Sequence, residues 1–401
     1  MSSIEKSQHI AIISVVIVLI TLMVGATDLH VPSLPAIGQA LSASVSDVQL
    51  TVTLYLLGYG ISPLIYGPLS DAYGRRGILI FGLMIAFIGS LFCMLAPTIG
   101  VLLLGRLIQG IGLGAGSAMI RAIFRDAFSG KILAKAGSYM GTASSLSLGV
   151  APVVGGLVQQ FLDWRVNFCI IAVGVVFVFI CILKYLPETH HNKNTKAKNP
   201  VLWIKNYFEL ISSKAFVSSV LMAGLAFSGM IVYVTIAPFL MQKTLGLSPM
   251  SFGFLAIFIA VAQAVGFNVN TRILKRFSIN QAIFTGVCMM LMSGLLLIVL
   301  SLFGLINVTS IIAVVVIYVI GTGFIYANAY AQAFTPFGHI IGFAAAMYGM
   351  LQTVIGGIAS FIVALIPHYN AMAMGILFTI IAILSLLAFR VVVKCSKSNA
   401  D

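Results

Sequence analysis

The chain holds nine acidic residues: Glu5, Asp28, Asp47, Asp71, Asp126, Asp163, Glu188, Glu209 and Asp401. Only Asp28 falls inside a long apolar stretch, residues 10–31. A carboxylate there can carry a proton across a barrier if each side reaches it in turn. Arg106 is the matching oddity, a cation inside the apolar stretch 101–123. Asp28 lies about three residues before the end of its stretch and Arg106 about five after the start of its own. At ~1.5 Å per residue their depths agree to within a few Å. Each also has the unfavourable sign for its own helix end. Matched depth and mismatched signs predict a pair facing a shared polar cavity. The competing reading of Asp28 is an ordinary polar helix end among lipid headgroups. His30 is expected as an interfacial residue.

Other chemistry is absent. Cys93, Cys169, Cys181 and Cys288 sit in apolar runs without metal-ligand spacing and read as small fillers. His190 and His191 are adjacent, not at helical spacing. No G-x-x-x-x-G-K-[ST] loop exists for a nucleotide. Neither a metal, a cofactor nor an enzyme is expected.

The elements that must position Asp28 and Arg106 are membrane helices. Of the 401 residues, 60% are hydrophobic and 8% charged, against about 25% charged in soluble proteins. A cytosolic enzyme or nucleic-acid binder is excluded, and the net charge of +13 lies between apolar runs. The first run is too long for a signal peptide. Apolar runs cover 10–31, 46–66, 77–97, 101–123, 134–160, 166–186, 214–240, 250–270, 280–303, 308–334, 340–366 and 371–393. These twelve spans predict an all-α membrane protein of two six-helix bundles, residues 1–186 and 214–401, joined by a polar cytoplasmic linker, 187–213. With both termini in the cytoplasm, only Arg165 and Lys243 fall in outer loops, as the positive-inside bias requires. The basic loop after span 2 and the one after span 8 are offset by half the chain, a weak internal repeat typical of transporters.

Motifs sharpen this reading. GPLSDAYGRR at 67–76 matches the signature between helices 2 and 3 of the major facilitator superfamily. LGRLIQGIGLGAG at 104–116 is similar to its helix 4 motif, and APVVGG at 151–156 resembles its antiporter motif in helix 5. TDLHVPSLP (27–35), RAIFRD (121–126) and the DWR turn (163–165) resemble the bicyclomycin-resistance (Bcr/CflA) branch of proton-coupled drug exporters with twelve helices. The resemblance implies the major facilitator fold, with helices 1 and 4 beside a central cavity. It implies a cytoplasmic gate at Gly67, Asp71, Gly74, Arg75 and Arg76, in which Asp71 caps helix 11 when that side is closed. Arg121 or Arg125 could pair with Asp71, and Asp126 ends the same helix. Gly67, Pro68 and Gly74 are read as the turns of a tight loop. In helix 5, Gly149, Pro152, Gly155 and Gly156 would bend the helix and seat it against a helix of the second half, sealing against proton leak.

Polar and aromatic residues inside apolar spans are the candidates for a substrate cavity. They are Tyr55, Tyr59 and Gln109 in the first half. Tyr233, Gln263, Asn268, Tyr326, Asn328, Tyr330, Tyr348 and Gln352 follow in the second. For each, hydrogen bonding between helices is the competing role. A wide cavity of this kind suits amphipathic organic molecules. The expected function is proton-coupled export of small amphipathic compounds from a bacterium across its inner membrane, by a monomer whose partners are substrate, protons and lipid. The alternative is a dedicated metabolite or siderophore exporter, or an importer, of the same fold. A reporter enzyme that works only in the cytoplasm, fused after Asp401, is expected to be active; activity only from a periplasmic reporter there would reverse the orientation.

Overall fold

A chain in hydrocarbon must satisfy its backbone N–H and C=O groups internally, and long apolar runs do so as helices. The computed structural model describes residues 3–190, 200–366 and 369–398, and all regular structure among them is helical. Among the described residues, twelve helices are long and apolar enough to cross a membrane. Spans 1 to 6 are Gln8–Ala40, Val45–Tyr73, Arg75–Met94, Ile99–Ala127, Lys135–Phe161 and Arg165–Tyr185. Spans 7 to 12 are Lys214–Thr244, Pro249–Ile273, Ile279–Leu302, Val308–Gly338, Ile341–Ala364 and Ala371–Val393. Following the charge bias, the end carrying Arg75 and Arg76 is termed cytoplasmic here and the opposite end outer.

Prolines shape the spans. Span 1 is continuous only through Asp28, then restarts as a short 3-10 turn, Val31–Ser33, and a helix, Leu34–Ala40. Pro32 and Pro35 have no N–H for the carbonyls of Asp28 and Val31, so the regular helix stops there. Across the seam, the Pro32 carbonyl accepts a hydrogen bond from Gln242 Nε2 of span 7 at 2.9 Å. The segment expected as a tight loop after span 2 differs too. Gly67 and Pro68 lie within the helix Pro63–Tyr73, and only Gly74, with φ +109°, makes the turn. Pro68 is tolerated because the Leu64 carbonyl it leaves unpaired accepts from Tyr207 Oη at 3.0 Å. Tyr207 belongs to a linker helix, Pro200–Ser212, that composition had marked only as polar connection. Burial first, and then the nearby Asp71 carboxylate, pushes the Tyr207 hydroxyl above its ordinary pKa, so it stays a donor. The His191 end of the linker lies outside the described residues.

Without a hydrophobic force between helices in lipid, close backbone approach does the packing. Spans 3 and 4 show this most clearly. A Cβ at Gly112 would strike the Ala86 backbone and the Gly82 carbonyl, and one at Gly89 the Gln109 backbone. Gly112→Leu is therefore expected to abolish monodisperse protein in size-exclusion chromatography. Gly100→Ala, where a Cβ meets nothing within 4 Å, should elute as the wild type.

Candidate transport site and cytoplasmic clasp

Arg106 is fully buried. Its Nη1 donates to the Ala26 carbonyl of span 1 at 2.9 Å and to Gln109 Oε1 one turn away; Nε reaches the Thr51 carbonyl of span 2 at 3.4 Å. Gln109 in turn donates to Ser90 Oγ of span 3 at 2.9 Å. The guanidinium carbon sits 4.1 Å from the centroid of the Tyr55 ring, a cation over a π face. Nη2 has no protein partner. One side chain thus ties spans 1, 2 and 4, and through Gln109 span 3.

Asp28 lies two residues beyond the carbonyl that Arg106 holds, yet no ion pair joins them. The guanidinium is occupied inside the first half by carbonyl oxygens and Gln109. The carboxylate lines a cavity of about 40 Å³ where the halves meet, walled by Leu148 and Pro152 of span 5, Met230 and Tyr233 of span 7, and Phe252 and Ile259 of span 8. Asp28 has no side-chain hydrogen-bond or ion-pair partner among the described residues. The expected shared cavity is therefore one-sided: Asp28 faces it, while Arg106 acts on Asp28 only through space. His30 is not interfacial; it is fully buried, 5.7 Å from the Phe168 ring, with neither ring nitrogen partnered.

The outer ends of the halves are joined. Gln49 Nε2 of span 2 donates to the Thr235 carbonyl of span 7 at 3.2 Å. Thr53 donates to Ser360 of span 11 at 2.9 Å. Span 5 seats its small residues on its neighbours: Gly149 meets Ala260, Gly155 the Leu29 carbonyl, and Gly156 the backbone of Pro249 and Met250. The Pro152 carbonyl in turn lies where a Cβ of Gly253 would be.

The cytoplasmic residues form a clasp whose partners differ from those expected. Arg75, not Arg121 or Arg125, pairs with Asp71, and also with Asp126 at 3.0 Å. Arg75 donates to Ser70 Oγ as well. Arg75 is one turn from Asp71 across Gly74, so the short route wins. Glu188, expected only as a polar residue of the linker, accepts from the backbone N–H groups of Arg75 at 2.9 Å and Arg76 at 3.3 Å. It caps the start of span 3, where free N–H groups and the helix dipole favour a carboxylate. Gly74 is required for its positive φ, and a Cβ there would also displace the Glu188 carboxylate. Arg76 donates to the Leu183 carbonyl at 2.8 Å, and His190 Nδ1 stands 3.5 Å from Asp126. A carboxylate just past span 6 was the signal available in sequence for Glu188.

The cavity candidates separate into groups. Tyr55 and Gln109 pack around Arg106 inside the first half, with Tyr59 stacked on Tyr55 at 5.8 Å. Asn328 bonds Asn270 at 2.8 Å within the second half, and Asn268 is exposed on span 8, bonded to its own helix. Gln263 is buried and Gln352 half-buried. Tyr233 lines the Asp28 cavity. Tyr326, Tyr330 and Tyr348 gather toward the cytoplasmic end, where Tyr330 is 36% exposed and Tyr348 lies 5.3 Å from it. Asp126→Asn should weaken the clasp by leaving the buried Arg75 guanidinium short of a charged acceptor. The expected loss is about 1–3 kcal/mol, read as a lowered thermal midpoint of the purified protein; an unchanged midpoint would remove Asp126 from the clasp.

Comparison with known proteins agrees with this architecture. The Major Facilitator Superfamily profile matches residues 16–360. The chain is 32% identical to the "uncharacterized MFS-type transporter YdgK" of Bacillus subtilis, covering 90% of each protein. It is 26% identical to "multidrug resistance protein D" of Escherichia coli over 96% of each. The xylose transporter XylE of E. coli, solved in a partially occluded inward open conformation, superposes with a TM-score of 0.72 over 96% of each chain at 14% identity, a likeness of fold. With twelve apolar helices, the signature clasp and a profile match over most of its length, this multi-pass membrane chain belongs to the major facilitator superfamily.

Proposed function

We propose that the protein is a proton-coupled exporter of small amphipathic compounds, working by alternating access as a monomer in a bacterial inner membrane with both termini cytoplasmic. Residues 1–186 and 214–401 are the two moving bodies, and 187–213 connects them. The observation that carries this reading is the Asp28 carboxylate. It is partnerless and borders the small cavity beneath the sealed outer ends, between one body and the other. An ionised carboxylate left alone in apolar surroundings is costly. A proton, a cationic substrate group or water admitted from the cytoplasmic end must therefore accompany it whenever the outer ends are shut.

The coupling follows from geometry. Parting the outer ends breaks the Gln49, Thr53 and Gln242 bonds between halves and exposes Asp28 to the outside, where it takes a proton. Resealing those bonds and opening the cytoplasmic end lets the proton leave inward as substrate enters. Arg106 stays fixed in the first half and contributes a constant positive field. Span 5, carrying Pro152 and seated on span 8, keeps the cavity closed while the proton is in transit. The clasp of Asp71, Arg75, Asp126 and Glu188 holds the cytoplasmic ends of spans 2, 3 and 4 as one piece during the motion. The similarity to a protein named for multidrug resistance supports the substrate class.

Inside-out vesicles carrying a proton gradient reported by a pH-sensitive dye test the reading. An amphipathic substrate is expected to discharge the gradient with the wild type and at least 10-fold less with Asp28→Asn, while Asp28→Glu keeps part of the activity. Equal discharge by wild type and Asp28→Asn would remove Asp28 from the centre of coupling. Silence across a broad drug panel, with discharge by one of the host's own secreted products, would make the protein a dedicated metabolite exporter.

A further inference from the structure

Arg121 stands on span 4 near the cytoplasmic end and is exposed. Its guanidinium carbon lies 5.7 Å from the centroid of the Tyr330 ring on span 10, a contact that crosses between the halves. Helix geometry tilts the side chain back toward the middle of the membrane, and its charge reaches the hydroxyls of Tyr59 and Tyr348. It forms neither an ion pair nor a hydrogen bond among the described residues. Among the described residues no carboxylate forms an ion pair with it. Asp71 and Asp126 are held by Arg75, Asp28 is at the outer seal, and spans 7 to 12 contain no Asp or Glu.

The surroundings are aromatic. Tyr330 stacks on Phe334 with centroids 4.1 Å apart, and Tyr348 meets both rings, at 5.3 and 5.6 Å. Tyr330 keeps 36% of its surface exposed, so the cluster is accessible beside an unoccupied cation. Closing the cytoplasmic ends would take Arg121 out of water without a counter-charge, which is costly for any buried ion. A substrate that brings its own anion removes that obstacle. A guanidinium donates two parallel hydrogen bonds to a carboxylate, and an aromatic ring attached to that carboxylate would lie against Tyr330 and Tyr348.

We propose that Arg121, Tyr330 and Tyr348 form a subsite for aromatic carboxylates in the cytoplasm-facing cavity. This deepens the exporter reading above, on which it rests, by naming a substrate class. An anionic lipid headgroup shares the charge but lacks the ring, and the arms of the test separate the two.

The test is calorimetric titration of the purified full chain, in phosphatidylcholine nanodiscs, with 2-naphthoate. Wild type is expected to bind it at least 5-fold more tightly than cyclohexanecarboxylate. Arg121→Gln should weaken naphthoate at least 10-fold, Arg121→Lys by less, and Tyr330→Leu should weaken naphthoate while sparing cyclohexanecarboxylate. Thermal midpoints equal to wild type identify these as folded variants, and should Arg121→Gln fail to fold, Arg121→Lys and Tyr330→Leu carry the comparison. Naphthoate affinity that ignores Arg121 would overturn the proposal. So would equal affinity for the two carboxylates combined with loss of naphthoate binding in phosphatidylglycerol nanodiscs, the mark of a headgroup site. Arg121-dependent binding in a protein that discharges no vesicle gradient with any compound would leave the subsite standing and sink the exporter reading. Gradient discharge by other compounds, with naphthoate binding indifferent to Arg121, would do the reverse.

Discussion

The first half of the molecule is built around one buried cation. Arg106 cannot leave hydrocarbon, so its donors must find oxygen there. They find the carbonyls of Ala26 and Thr51, the amide of Gln109 and the face of Tyr55. Hydrogen bonds to a charged group contribute about 1.5–3 kcal/mol each, and here they bring spans 1, 2 and 4 to one point. The glycines of span 4 follow from the same demand. Gly110 and Gly112 let the helix sit against Tyr55 and Ala86 closely enough for the guanidinium to reach its acceptors.

This arrangement sets what Asp28 can do. With Nε and Nη1 of Arg106 engaged by neutral oxygen atoms, the carboxylate is left without an ion pair, beside the cavity at the seam between halves. A direct ion pair would have fixed both charges and given a structural link. Separation leaves Asp28 free to change partners while the cation beside it stays constant. Proline makes the separation possible by ending the regular helix after Asp28 and handing the Pro32 carbonyl to Gln242 of the opposite half. The proposed proton site and the Pro32–Gln242 link across the seam thus lie at one helix break.

The two ends of the molecule use polar groups differently. At the outer end the links between halves are neutral hydrogen bonds and glycine contacts, which cost little to break and remake. At the cytoplasmic end, charges are spent within the first half. Asp71, Arg75, Asp126 and Glu188 bind one another and the start of span 3, so they hold helices together rather than holding the halves together. Arg121 faces the opposite half as a cation over a ring, without an ion pair among the described residues.

Composition and spacing alone determined the class of protein. Twelve apolar runs of sufficient length, with positive charge biased to one side, admit only membrane helices, because lipid offers the backbone no alternative partner. The GPLSDAYGRR motif and the isolation of Asp28 and Arg106 were equally legible, since a charge in an apolar run stands out in one dimension. Partner choice was not. Which oxygen a guanidinium reaches depends on helix rotation and on sub-turn depth, so the expected pairing of Asp28 with Arg106, and of Asp71 with Arg121 or Arg125, gave way to nearer acceptors. Glu188 and Tyr207 looked like linker residues because their partners, a helix start and a carbonyl freed by Pro68, exist only once the chain has folded back. Tyr55 and Gln109 resembled cavity residues for the same reason: the sequence shows that a side chain is polar, and only the tertiary packing decides whether it faces a neighbouring helix or open space.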